Sequence, residues 1–309
     1  MLRMIASRLA VGVFVLWGAT TLMFVLIRIA PGDPATILLG SDATPEEIAA
    51  LRERLGLDEN PLVQYLAYFA QLVRLDFGES FRSNQPAMEV VLDRLPATIQ
   101  LTLAATLIAV IIGLALGLLA SRRPDGVVDR IVSTIAILFQ GMPTFWVGIM
   151  LILVFALTLR VLPSAGSGSF AHVVLPAVTL ALPFTAIVAR LSRATLTEAM
   201  REPYIQTALS KGLSRGEALR GHALRNALGP VITIVGLQMG TLLGGAVVVE
   251  NVFAWPGLGT LIVQSVSYRD YSVVQAAVLL IAVIVLALNL VADIVNAALD
   301  PRIRVGGRA

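Results

Sequence analysis

Residues 97–120 read ATIQLTLAATLIAVIIGLALGLLA and contain no charged side chain. An uncharged apolar run of this length is sufficient for one helix to cross the hydrocarbon core of a bilayer, which takes about 20 residues. Five further apolar runs of similar character lie at 9–29, 131–159, 173–191, 228–249 and 273–298. The sequence therefore predicts an all-α, polytopic integral membrane protein with about six transmembrane helices.

Composition agrees with a chain that lies largely in lipid. Hydrophobic residues make up 57% and charged residues 14%, with a mean hydropathy of +0.84, whereas soluble domains are about 25% charged. The chain has no cysteine and two distant histidines, His172 and His222, which excludes thiolate sites and disfavours a histidine-based metal site. It also lacks a GxxxxGK[ST] phosphate loop, so we expect no ATP hydrolysis by that route and no cofactor on this chain.

The distribution of charge predicts the orientation of the chain. With the N-terminus in the cytoplasm, the inner segments are 1–8, 121–130, 190–227 and 299–309, and they hold 15 of the 23 basic residues but 6 of the 20 acidic ones. Positive charge concentrates on the cytoplasmic side of membrane proteins. We therefore expect both termini in the cytoplasm. The first run is too long for a signal peptide and predicts an uncleaved helix.

Proline predicts irregularity in two of the spans. Pro143 lies within 131–159 and favours a kink or break there, and Pro176 with Pro183 makes 173–191 the least regular span. Between the first two spans, a turn at 31–34 precedes two predicted helices, which span 45–55 and 62–72. The second is amphipathic and is expected to lie on the protein or the membrane surface. The predicted organisation is a first helix over 1–30, an extracytoplasmic cap over 31–94, a core over 95–298 and a tail over 299–309.

The longest inner segment, the loop at 192–226, has an internal architecture of its own. Helix-forming residues flank Gly212, and Ser214 with Glu217 forms a possible capping box for a second short helix. One interpretation is an ordinary basic loop that only sets topology. The other is a pair of short helices that meet at Gly212 and enter a groove on a soluble partner.

The order of residues along this loop resembles one known family. It departs from the general permease signature at Gln206, Thr207, His222 and Arg225, but is similar to the variant of dipeptide and oligopeptide permeases in binding-protein-dependent ABC importers. The motifs that carry the resemblance are Tyr204-Ile205-Gln206-Thr207-Ala208, Lys211-Gly212-Leu213, His222-Ala223-Leu224-Arg225-Asn226-Ala227, Ala30-Pro31-Gly32-Asp33-Pro34, Leu55-Gly56-Leu57-Asp58, Asp76-Phe77-Gly78-Glu79-Ser80, Leu95-Pro96-Ala97-Thr98, Glu250-Asn251-Val252-Phe253-Ala254-Trp255-Pro256-Gly257-Leu258-Gly259 and Ala298-Leu299-Asp300-Pro301-Arg302.

The resemblance implies a type I ABC importer transmembrane fold and half of a translocation pathway for short peptides. It implies three kinds of partner besides the lipid bilayer: a related, non-identical second permease, two ATPase subunits or domains that hold Mg-ATP, and an extracytoplasmic binding protein. It implies no nucleic-acid partner. The location would be a bacterial or archaeal plasma membrane, and the chain itself would not be an enzyme. The residues that would couple to the ATPase are Tyr204, Gln206, Thr207, Ala208, Lys211, Gly212, Leu213, His222, Leu224 and Arg225.

Two further sets of residues have competing interpretations. Gln140, Gln238, Asn289 and Asp293, with Asn296, are polar residues at membrane depth, where they either line the pathway or hold helices together. On the outer side, four loop residues form either a rigid turn with an interfacial anchor or, as the resemblance implies, part of the surface that receives the binding protein. These four are Glu250, Trp255, Pro256 and Gly257.

Glycines at four-residue spacing allow close approach of helices in lipid. Gly236, Gly240 and Gly244 follow this spacing, as do Gly113 and Gly117. They would serve packing within the chain or the seam with a second permease.

Other functions remain open from the sequence. The same class of importer also serves nickel chelates, glutathione and other small solutes. An ion-coupled secondary transporter would use Asp293 and Glu250. An intramembrane enzyme is disfavoured because no paired carboxylates, Ser/His set or metal-ligand cluster occurs in the apolar runs.

Overall fold

The structure is a computed structural model that describes residues 2–29, 36, 39, 43–54 and 58–299. Apart from one isolated bridge between Glu79 and Pro86, the regular structure of these residues is helical. The predicted turn at 31–34, the Leu55-Gly56-Leu57 motif and the tail from Asp300 lie outside the described residues. The helices are α1 Leu2–Ile29, α2 Pro45–Arg54, α3 Pro61–Val73, α4 Ala87–Ser121, α5 Val127–Gly141, α6 Thr144–Leu151, α7 Phe170–Ala199, α8 Pro203–Ser210, α9 Arg215–Ala218, α10 Leu224–Val252, α11 Leu258–Ser267 and α12 Tyr271–Leu299, with π-helical turns at Ile152–Thr158 and Leu219–Ala223.

Five of the described helices are long and apolar enough to cross a membrane. They are α1, α4, α7, α10 and α12, and a sixth span results if α5 and α6 are counted together. These two helices are bent by 106° at the break that contains Pro143. The prediction of about six spans is confirmed, and so is the break at Pro143.

The expectation that the fourth span is irregular was wrong. Helix α7 runs without interruption through Pro176 and Pro183 and is the most buried of the spans. Threonine hydroxyls donate to backbone carbonyls one turn earlier near each proline, from Thr179 to Leu175 at 2.8 Å and from Thr185 to Ala181 at 2.9 Å. Such local hydrogen bonds, together with close packing, are how proline is tolerated inside membrane helices.

The described chain forms two compact units. The first comprises residues 97–259 and, among the described residues, 284–299, and its core is a cluster of buried side chains in which Trp255, Phe184 and Phe253 are the largest. Glycines let its helices approach closely: a Cβ at Gly113 would lie 2.6 Å from Val188 Cβ, and one at Gly236 would lie 2.6 Å from Ala292 Cβ. These glycines therefore serve packing within the chain.

The second unit comprises residues 2–96 and 260–283. Helix α3 is capped by Asn60, whose side chain accepts a hydrogen bond from Leu62 N at 2.9 Å, and it packs against α1. Thr21 and Tyr65 share a hydrogen bond of 2.8 Å, and the ring of Phe24 meets that of Tyr65 edge to face at 5.1 Å between centroids. The predicted second helix is thus present, and it rests on the first span.

Candidate functional site: the coupling loop and the outer loop

The loop at 192–226 is called the coupling loop below, after its predicted role. Its helix α8 presents one buried face and one exposed face. Ile205 is fully buried and Ala208 is nearly so, whereas Tyr204, Gln206 and Thr207 are exposed. Residues three positions apart lie on the same face of a helix. Ile205 and Ala208 therefore form a buried anchor, and the exposed residues of α8 form an accessible surface. Sequence reasoning missed Ile205, although its three-residue spacing from Ala208 was a signal for a buried face.

The anchor rests on a hydrophobic cluster below the loop. Its members come from the end of α7, from α8 and from the segment that leads into α10; the largest are Leu196, Met200, Ile205 and Leu219, each at most 7% exposed. The loop is therefore packed at both of its ends. Burial of about four such side chains, each worth about 1.5–3 kcal/mol, is sufficient to hold a short segment in one position.

The turn after α8 requires glycine. Gly212 has φ +96°, a region that L-residues with a side chain avoid. Gly212 N donates to Leu209 O at 3.0 Å, and Leu213 N donates to Ala208 O at 3.3 Å. This pair of bonds is the Schellman motif, in which glycine at the left-handed position closes a helix C-terminus. No heavy atom outside its chain neighbours lies within 4 Å of a Cβ built at Gly212, so backbone conformation is what demands glycine here.

A capping box begins the next helix, as the sequence predicts. Ser214 N donates to Glu217 Oε2 at 2.8 Å, and Glu217 N donates to Ser214 Oγ at 3.3 Å. The hydrogen bonds from the Ser214 side chain and backbone lower the pKa of the Glu217 carboxyl. This helix is not a separate short one, because α9 continues through the π-helical turn Leu219–Ala223 into α10. The loop therefore ends in a rigid extension of a membrane span.

The predicted coupling residues divide into three groups by exposure. Ala208 is buried, and Leu213 and Leu224 are half-buried. The remaining residues are exposed: Tyr204, Gln206, Thr207, Lys211, Gly212, His222 and Arg225. The structure thus brings seven of the ten to the surface of a packed loop, where a partner has access to them.

An ion pair near the loop was not predicted. Asp129, 2% exposed, accepts hydrogen bonds from Arg193 through both carboxylate oxygens, and the bond from Arg193 Nη2 measures 2.6 Å. Asp125 N also donates to Asp129, at 2.8 Å. The pair joins the first turn of α5 to the last part of α7, and Arg193 is at the start of the loop at 192–226. Contacts between residues 64 positions apart leave no local signal in a sequence.

The loop at 250–259, predicted to lie on the outer side and called the outer loop below, is built around a buried carboxylate. Glu250 is 0% exposed; Thr98 Oγ1 donates to its Oε1 at 2.6 Å, and Gly259 N donates to its Oε2 at 2.7 Å. Leu258 N in turn donates to Thr98 Oγ1 at 2.8 Å. A Cβ at Gly257 would overlap the Glu250 carboxylate. Glu250 therefore closes the loop on itself.

The other predicted residues of the outer loop lie mostly inside it. Trp255 is 3% exposed, and its indole Nε1 donates to Ala97 O at 2.9 Å. Gly257 is buried and Pro256 is half-buried. This arrangement is that of a rigid turn whose tryptophan is packed in the protein. Contact with a binding protein through this loop stays a prediction.

The candidate pathway residues have individual surroundings. Gln140 Oε1 accepts from Arg190 Nη2 at 2.6 Å, next to the break between α5 and α6. Asn289 lies beside Gly240, with 3.7 Å between its Oδ1 and a Cβ built there. Gln238 and Asp293 are half-buried, and Asp293 has an interaction partner. The side chain of Asn296 is outside the described part. A role in translocation stays a prediction for all of them.

Metal chemistry finds no support in the described part of the chain, where no group of three or more His, Cys, Asp or Glu side chains is placed to hold an ion.

Comparison with protein families covers nearly the whole chain. Residues 109–305 match the binding-protein-dependent transport system inner membrane component, and residues 1–102 match the N-terminal part of the membrane component of such systems. The chain is 39% identical to a dipeptide transport system permease protein of Alkalihalophilus pseudofirmus, over 98% of this chain and all of that one. It is 40% identical to a glutathione transport system permease protein of Escherichia coli K12, over 98% of this chain and 99% of that one.

Solved structures share the fold. A methionine ABC transporter in inward-facing conformations matches 69% of this chain and 97% of its own, with a TM-score of 0.57 and 22% identity. An amino acid ABC transporter matches 68% of this chain and 94% of its own, with a TM-score of 0.54 and 19% identity. From the family matches and the full-length relatives together, the chain belongs to the inner membrane components of binding-protein-dependent transport systems and is a multi-pass ABC importer permease of the plasma membrane.

Proposed function

We propose that this chain forms half of the translocation pathway of an ATP-driven importer for short peptides. The observation that carries the coupling mechanism is the loop at 192–226, which is anchored on a buried cluster and exposes one face of α8. A stiff loop transmits a push from a partner to the spans it joins, because it cannot absorb the displacement by bending.

The partners follow from this mechanism. Two ATPase subunits with Mg-ATP would receive the exposed residues of the coupling loop, and their closure on nucleotide would move α7 and α10. A second, non-identical permease would complete the pathway, and an extracytoplasmic binding protein would deliver cargo. The excess of basic residues in the inner segments supports cytoplasmic termini.

Short peptides are the proposed cargo on the strength of full-length relatives. A di/tripeptide permease protein of Pseudomonas aeruginosa is 38% identical over 98% of this chain, close to the value for the dipeptide relative. Glutathione is the second candidate, because a glutathione permease is equally similar. Glutathione is itself a tripeptide, so both candidates share an amide bond, a free ammonium group and at least one free carboxylate.

An ion-coupled carrier is the competing mechanism, and the geometry of Glu250 speaks against it. The Glu250 carboxylate is fully buried and accepts hydrogen bonds from Thr98 and Gly259 that close the outer loop. A buried carboxylate whose hydrogen bonds hold a loop closed is poorly placed to bind and release an ion in each transport cycle.

The test begins with recovery of the complex in mild detergent and identification of its subunits by mass spectrometry. The assembly is then reconstituted in liposomes with ATP on the ATPase side, and uptake of a labelled dipeptide is measured with and without the binding protein. We expect uptake that requires ATP hydrolysis and the binding protein, with a non-hydrolysable analogue as the control. Solute transport by this chain alone, without ATP, would contradict the proposal. Competition with unlabelled glutathione separates the two cargoes.

A further inference from the structure

A polar cavity in the second unit has no role in the account above. Its volume is about 320 Å³, at the lower end of the range for small-molecule sites in proteins. It is lined by the loop that precedes α4, by the first turns of α4 and by the junction of α11 and α12. The lining residues that matter are Ser80, Arg82, Arg94, Gln264, Tyr268 and Asp270.

Asp270 brings to this cavity a carboxylate oxygen that has no hydrogen-bond donor among the described residues. The residue is 4% exposed, and its Oδ2 accepts a hydrogen bond of 2.6 Å from Ser80 Oγ. Its Oδ1 is buried and has no hydrogen-bond partner among the described residues. A buried carboxylate oxygen without a donor is costly and rare in folded proteins. The cavity therefore lacks a donor at this position, and a cationic donor satisfies a carboxylate best.

The opposite charge lies on the same cavity. Arg82 and Arg94 are both exposed, and in the part of the chain that the structure describes neither forms an ion pair with a carboxylate within 4 Å. The Arg82 guanidinium lies over the ring of Tyr268, 4.2 Å from its centroid. Two guanidinium groups that lack an acidic partner are suited to bind a carboxylate, which arginine can hold through two parallel hydrogen bonds.

We propose that this cavity is a binding site for a small zwitterion, an unblocked short peptide or amino acid, whose ammonium group donates to Asp270 and whose carboxylate is held by Arg94 and Arg82. The choice of a peptide rests on the proposed function. In the proposed orientation, the cavity belongs to segments on the outer side of the membrane. It is therefore a place where cargo released by a binding protein meets the permease.

The first test varies the ligand and leaves the protein unchanged. The full chain in lipid nanodiscs, without a binding protein, is titrated with the dipeptide Ala-Ala and binding is followed by saturation-transfer NMR. N-acetyl-Ala-Ala lacks the ammonium group, and Ala-Ala amide lacks the carboxylate. We expect each blocked peptide to bind at least about tenfold more weakly, the loss of one charge-assisted hydrogen bond. Equal binding of the three, or no binding of Ala-Ala, would overturn the proposal.

The second test varies the protein. Asp270→Asn keeps the shape of the side chain and removes its charge, and Arg94→Gln removes one guanidinium; each should weaken Ala-Ala binding about tenfold. Asp93→Asn is the matched control, because Asp93 is an exposed neighbour of Arg94 outside the cavity lining. Arg94→Gln should also lose discrimination against Ala-Ala amide. Binding unchanged by Asp270→Asn would leave only a water-filled space.

Failure of the cavity proposal and failure of the proposed function give different results. ATP-dependent peptide uptake by the reconstituted importer, with no binding of Ala-Ala to the permease, would reject the cavity and leave the function. Binding of Ala-Ala that depends on Asp270, in an importer that does not take up peptides, would reject the function and leave the cavity.

Discussion

The coupling loop and the outer loop each follow a long span, yet they use their polar residues in opposite ways. In the coupling loop, the polar side chains of α8 are exposed and a single apolar face, centred on Ile205, fastens it to the protein. In the outer loop, the acidic residue Glu250 is fully buried and accepts hydrogen bonds from Gly259 of the same loop and from Thr98 of α4. The coupling loop exposes its polar groups to solvent, whereas the outer loop uses its buried carboxylate in internal hydrogen bonds.

The difference shows that resemblance to a family motif does not reveal which residues of the motif are accessible to a partner. Both loops resemble segments of the same family, and for each of them a contact surface is one of the two interpretations that the sequence allows. Burial separates them: the coupling loop offers seven exposed candidates, whereas three of the four in the outer loop are buried. We therefore expect mutations in the outer loop to act on stability and those in the coupling loop to act on transport.

The largest effect should come from Glu250→Ala. This change leaves Thr98 Oγ1 and Gly259 N without the acceptor that they have in the protein, and buried donors without a partner cost about 1–3 kcal/mol each. We expect a loss of about 3 kcal/mol in the free energy of unfolding, measured as a lower thermal transition of the purified chain in detergent. Gly257→Ala should act in the same direction, because its Cβ would overlap the Glu250 carboxylate.

Glu89→Ala provides the control for Glu250→Ala. Glu89 is an exposed acid in the first turn of α4, so its removal should change the thermal transition little. If both variants melted together with the wild type, Glu250 would not hold the outer loop closed, and the contrast between the two loops would be lost.

The second effect concerns Gly212→Ala in the coupling loop. A side chain at φ +96° costs about 1–2 kcal/mol, which should distort the turn between α8 and α9 while the spans stay folded. We expect fewer peptides transported per ATP hydrolysed by the reconstituted importer. A bulkier change, Gly212→Leu, should uncouple the two processes further.

Gly229→Ala is matched to Gly212→Ala. A Cβ at either glycine would meet no heavy atom within 4 Å beyond its chain neighbours and its own helix backbone, but Gly229 has an ordinary φ inside α10. The control should transport peptides with normal coupling. Normal coupling in a well-expressed Gly212→Leu variant as well would remove the turn from the mechanism.

The smallest effect should come from Ser214→Ala, which removes the capping box. An N-cap serine is worth about 1 kcal/mol of helix stability, so amides in α9 should exchange hydrogen faster by mass spectrometry. Because hydrogen bonds lower the pKa of Glu217 in the folded state, its contribution is present above the usual carboxyl pKa and is lost as pH falls through the lowered value. The amides of α9 in the wild type should therefore stay protected from exchange at pH 6, relative to their intrinsic rates. A loss of that protection already at pH 6 would contradict the role of Glu217.

Much of the fold could be predicted from the sequence because each signal is local. Runs of apolar residues predict spans, Pro143 predicts the break between α5 and α6, and Ser214 with Glu217 predicts the capping box; all are present. Proline misled at α7, because packing and threonine hydroxyls compensate for it in ways that the local sequence does not reveal.

The candidate sites were less predictable because they depend on distant contacts. Thr98 and Glu250 are 152 positions apart, and Ser80 and Asp270 are 190 apart. Neither pairing has a sequence signal of its own. The sequence names the residues of the coupling loop, but only packing distinguishes the anchor at Ile205 from the exposed surface around Gln206.

The central claim, that the exposed face of α8 receives an ATPase, can be tested directly because the chain has no cysteine. Gln206→Cys and Ile205→Cys are introduced singly, and their reaction with a soluble maleimide is measured in the isolated chain and in the complete importer. We predict that Gln206→Cys reacts in the isolated chain and is protected once the ATPase subunits are bound, whereas Ile205→Cys is unreactive in both. Equal reaction of Gln206→Cys with and without the ATPase subunits would contradict the account.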